Sequence, residues 1–72
     1  MRHAQMRYNP NLARWSVNNG THDYGLHCGE SITLVLDGKP TQCRLELAET
    51  WYVIVGGVGL GLRPKEVYEI RI

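Results

Sequence analysis

Apolar and polar residues alternate with a period of two along most of this chain, and turn signals interrupt them every few residues. An amphipathic helix needs apolar residues every three to four positions, and no segment carries such a stripe. The chain has strands to build with and no helix to cover them. With 72 residues it must bend those strands around one thin core.

The strands can be placed by their faces. Met6-Arg7-Tyr8 forms a short strand, and Asn9-Pro10-Asn11 turns it. Over residues 12–17, Ala13, Trp15 and Val17 share one side, with Trp15 and Val17 facing inward. Asn18-Asn19-Gly20 ends that strand, and residues 21–26 return. Gly25 and Gly29 bracket Leu26-His27-Cys28 and mark sharp bends. Residues 30–36 form a clear strand with Ile32, Leu34 and Leu36 on one face. Trp51 to Val55 is apolar on both faces, as a strand flanked on both sides would be. Residues 56–61 read as a glycine-rich loop, and residues 66–72 as the last strand, with Val67, Ile70 and Ile72 its apolar members.

Asp37-Gly38 announces a hairpin whose register is open to argument. A two-residue loop sets Leu34 opposite Thr41. A four-residue loop over 37–40 sets Leu34 opposite Cys43, Ile32 opposite Leu45 and Thr33 opposite Arg44. The second pairs apolar with apolar and keeps Pro40 out of the ladder, so it is the expected register.

The expected fold is all-β: a small SH3-like barrel of five or six short antiparallel strands in one domain over residues 1–72. Composition agrees, with 43% hydrophobic and 21% charged residues. A formal net charge of +1 argues against a global basic footprint for nucleic acid. There is no apolar run of membrane-spanning length and no signal-peptide pattern at residues 1–5, so a cytoplasmic protein with no membrane association is expected. In that compartment Cys28 and Cys43 are expected to be reduced.

Gly25-Leu26-His27-Cys28-Gly29-Glu30, Asp37-Gly38-Lys39, Arg44-Leu45-Glu46 and Trp51-Tyr52-Val53 together resemble a family of very short bacterial proteins classified only as a domain of unknown function. The resemblance covers residues 24–72. Pro40 stands where that family tends to have Trp, and the tail Arg63-Pro64-Lys65-Glu66 is longer than usual. The resemblance implies a compact β domain, often encoded in mobile or phage-related regions, with no assigned activity.

Three kinds of chemistry can be weighed on the residues. His22, His27, Cys28 and Cys43 are soft metal ligands, but they lack the paired short spacings of a zinc site. A thiol activity through Cys28 with His22 as base has nothing in the sequence to hold the pair together. Gly56 to Gly61 follows a strand as a phosphate loop would, but no helix follows it. No catalytic residue, metal or cofactor is therefore assigned.

The reading is a non-catalytic binding module acting through a protein partner or as a homodimer, with Tyr8, Tyr24, Tyr52 and Arg44 as contact residues. The alternative is a weak nucleic-acid binder using Arg2, Arg7 and Arg14 of the basic N-terminal segment. A further alternative is a metal- or thiol-dependent activity through Cys28, Cys43 and His22.

Overall fold

A computed structural model describes residues 3–72. The chain is all-β. Eight strands run in order: β1 (His3–Asn9), β2 (Arg14–Asn18), β3 (Asp23–Gly25), β4 (Ser31–Leu36), β5 (Lys39–Leu47), β6 (Trp51–Val55), β7 (Val58–Gly61) and β8 (Tyr68–Arg71). The count exceeds the expected five or six because β3 and β7 are short, and β7 lies in the segment expected to be a loop. The strands form one antiparallel sheet in the order β3-β2-β1-β8-β4-β5-β6-β7. Its two ends, β3 and β7, are edges that are not hydrogen-bonded to each other, and the sheet surrounds one core as the expected small all-β fold does.

The last strand closes the centre. β8 inserts between β1 and β4, pairing Ala4 with Ile70 on one side and Leu34 with Ile70 on the other. Ile70 is fully buried, whereas Val67 and Ile72 lie outside the strand and are exposed. Inward side chains from six strands meet in one core: Ala4, Met6, Trp15, Val17, Ile32, Leu34, Cys43, Leu45, Val53 and Ile70, with Leu26 and Leu62 added from the connections. Trp15 takes the centre, with the Tyr8 and Tyr68 rings edge-on to it at 5.7 and 5.5 Å between centroids.

The β4–β5 hairpin adopts the two-residue loop, which corrects the expected register. Leu36 pairs with Lys39, Leu34 with Thr41, Ile32 with Cys43 and Ser31 with Arg44; Thr33 faces Gln42. Asp37 and Gly38 both have positive φ, 50° and 75°, as a type I′ turn requires. That turn matches the twist of the flanking strands, and its preference outweighs the gain from pairing Leu34 with Cys43. The two registers differ by two residues, so both keep Cys43 and Leu45 on the core face. Pro40 is accommodated because its nitrogen points away from β4 at a non-bonded pair with Val35. On its other side β6 pairs only from Arg44 onward, so no donor is missed.

Two other loops are built by asparagine side chains. Asn9 Oδ1 accepts from the N–H groups of Asn11 and Leu12, and Asn19 Oδ1 accepts from those of Thr21 and His22. The Asn18–Asp23 connection is thus a braced four-residue loop rather than a two-residue Asn-Gly turn.

Candidate functional site

The Leu26–Glu30 box is a turn joined to a bulge. The Glu30 N–H donates to the His27 carbonyl, and Gly29 has φ +91°, the third-position geometry of a type II turn. Gly29 N–H then donates to the Leu45 carbonyl at 2.6 Å while the Leu45 N–H returns to the Glu30 carbonyl at 2.8 Å. Two residues thus oppose one, with a left-handed glycine first, which defines a G1 bulge. Leu26 anchors the box in the core, and its N–H bonds the Trp15 carbonyl. Glu30 Oε2 accepts from the His27 N–H. Every member except Cys28 has a local structural task.

Cys28 is exposed at the tip of this turn and Cys43 is buried in the core; both are free thiols. Burial pushes the Cys43 thiol up from its ordinary value, partly opposed by a hydrogen bond with the Leu34 backbone. His22 lies in the 19–22 loop with Nδ1 3.1 Å from Thr21 Oγ1. Among the described residues no group of three or more His, Cys, Asp or Glu side chains converges. Cys28, Cys43 and His22 are spread over an exposed turn, the core and a distant loop.

The four expected contact residues do not share a surface. Tyr8 faces inward against Trp15. Tyr24 sits on the edge strand β3 beside Val17 and is exposed. Tyr52 and Arg44 lie on the outer face of β5–β6, where the Arg44 guanidinium is 2.6 Å from Glu46 Oε2. The Tyr52 ring also lies across Gly59, where a Cβ would meet its Cδ2 at 3.5 Å, an ordinary packing contact.

Arg7 and Arg14 do share the outer face of the β1–β2 hairpin, on either side of Ser16. The Arg14 side chain lies over Gly25, where a Cβ would come within 2.7 Å of its Cδ. Arg7 bonds Gln5, and neither arginine has a carboxylate partner among the described residues. Arg2 lies outside the described residues.

The family described as a domain of unknown function, DUF5348, matches residues 4–72. The chain belongs to this family. The DUF5348 match takes in β1 to β3 as well as the 24–72 stretch that carries the resemblance in sequence. A crystal structure of a protein from Ruminococcus gnavus has the same fold, with a TM-score of 0.77 and 25% identity over 99% of this chain and 100% of that one. No curated protein matches. This DUF5348 chain has no helix long and apolar enough to cross a membrane among the described residues.

One surface escapes the sequence reading: the β6–β7 edge. Gly56 and Gly57 have positive φ and form a two-residue turn, so that Val55 pairs with Val58. The residues read as a glycine loop become an edge strand, Val58-Gly59-Leu60-Gly61. Val58 and Leu60 point to the core side but lie beyond it, 59% and 42% exposed. The signal was present: a strict apolar–glycine alternation after a two-glycine turn.

Proposed function

We propose that this DUF5348 chain is a non-catalytic interaction module that joins a protein partner by extending its sheet at β7. The exposed apolar pair on that edge, Val58 and Leu60, carries the reading. Strand edges with unpaired backbone groups are templates for pairing with another chain, and proteins usually blunt them with charge, proline or bulges. β7 has none of these. β3, the other edge, is three residues long and includes Asp23.

The test is capture of partners by the tagged protein with and without nuclease treatment and at low and high salt, beside the Gly59→Pro variant. Protein retained by the wild type and lost by the variant supports the reading. Recovery of nucleic acid alone, lost as salt rises, overturns it.

That second outcome would favour nucleic-acid binding through Arg7 and Arg14, with Arg2 as a further candidate. What favours this alternative is that the first two share a face without carboxylate partners among the described residues. Phosphate contacts lose affinity steeply with salt, and an apolar sheet edge does not.

A further inference from the structure

The direction of the free backbone groups on β7 follows from its pairing. Leu62 N–H donates to the Trp51 carbonyl, so that pair is a hydrogen-bonded one. Bonded and non-bonded pairs alternate along an antiparallel ladder, which makes Leu60–Val53 and Val58–Val55 bonded too. The N–H and C=O of Gly59 and Gly61 therefore point away from β6, off the edge of the sheet. The open edge presents glycine backbone on one line and Val58 and Leu60 side chains on the core side.

We propose that a second copy of this chain occupies that edge, in an antiparallel β7–β7 pairing with the twofold axis at Leu60. This specifies the partner of the edge assigned above and rests on that assignment. A twofold that keeps both core faces on the same side of the joined sheet runs perpendicular to it and passes midway between one residue and its own copy. An axis at Leu60 sets Gly59 opposite the partner's Gly61 and Gly61 opposite the partner's Gly59. Both pairs then use outward groups, which gives four backbone hydrogen bonds. An axis at Gly59 would call on Gly57, which is committed to the turn at φ 83°.

The side chains fit the same axis. Leu60 meets its own copy at a non-bonded pair, where opposed side chains approach most closely. Val58 falls beside the partner's Leu62. The edge carries no charge, so self-pairing brings no like charges together. Glycines at 59 and 61 leave the outer side of the seam to Tyr52, which lies across Gly59. A four-residue strand pair with two apolar side chains from each copy falls below the ~1,200 Å² of a standard stable interface, so the dimer is concentration-dependent.

Sedimentation from micromolar to millimolar concentration tests this directly. The wild type should pass from monomer to dimer mass. Leu60→Lys and Leu60→Glu, at an exposed position, should each remain folded by circular dichroism and monomeric. An equimolar mixture of the two should dimerise, because opposite charges then face each other across the axis. Gly59→Pro removes an outward N–H that pairs with none of the described residues and should also hold the chain monomeric.

A wild type that stays monomeric, a Leu60→Lys variant that dimerises like the wild type, or a charge-swapped mixture that does not associate each overturns the proposal. If the wild type is monomeric yet still captures protein in a Gly59-dependent way, self-pairing fails and the interaction-module reading stands. If neither occurs, both fail.

Discussion

The Gly29 N–H and the Leu45 carbonyl meet at 2.6 Å, and through this bond the Leu26–Glu30 box is locked to the C-terminal part of the longest strand. Gly29 achieves it at φ +91°, where a Cβ would meet nothing within 4 Å but would strain its own backbone. Gly29→Ala is expected to cost about 1–2 kcal/mol from that conformation alone. Chemical denaturation with an unchanged m-value would check it. Against the roughly 3–5 kcal/mol that a core of this size supplies, such a loss is large.

Ala13 sits at φ 52° at the end of the β1–β2 loop, a left-handed position without a glycine. Relief of that strain exceeds the added chain entropy of glycine, so Ala13→Gly should stabilise the fold by about 0.5–1 kcal/mol. For a domain of this length the melting midpoint should rise by roughly 4–8 °C per kcal/mol. A fall in the midpoint would count against the strained loop.

Trp15 is fully buried between Tyr8 and Tyr68, and its Nε1 has no hydrogen-bond partner among the described residues. Trp15→Ala should cost about 3–5 kcal/mol, enough to unfold most of the population. Trp15→Phe keeps an aromatic body between the two tyrosines and removes an unpartnered donor, so it should lose markedly less. Near-UV circular dichroism and urea titration separate the two cases.

The two thiols should behave differently. Exposed Cys28 should react with a thiol reagent in the native state, and buried Cys43 only on unfolding. Because burial raises the folded-state pKa of Cys43, its contribution to stability is fully present below the unfolded thiol value and is lost as pH rises from there through the raised folded value. Stability should therefore decline in the alkaline range, and Cys43→Ala should remove that part of the slope.

At the other end of the pH scale, a hydrogen bond from Arg71 holds the Glu69 carboxyl below its usual value, with His3 adding to the effect. A depressed carboxyl contributes above its unfolded value and loses that contribution as pH falls through the folded one. Glu69→Gln should flatten the acid limb of the stability profile slightly, since the group is on the surface.

The faces of the strands were legible without a structure. Trp15 and Val17, Ile32 and Leu34, and Cys43 and Leu45 all point inward as their period-two spacing implies. The Asp37-Gly38 hairpin was legible as well, because its turn chemistry is local. Its register was not read correctly, since apolar pairing and turn geometry gave opposing answers two residues apart. The strand at 58–61 was hidden by its glycines, which supply alternation but no β propensity.

Turn preferences and strand alternation act over a few residues, so an all-β chain, its turns and the side chains that face the core are already legible locally. That β8 lies between β1 and β4, that Tyr8, Trp15 and Tyr68 form one cluster, and that β7 rather than a buried strand ends the sheet emerges only in the folded chain. These are pairings between segments far apart in the chain. Many strand orders satisfy the same alternation, and the choice among them rests on how the side chains fill a single core.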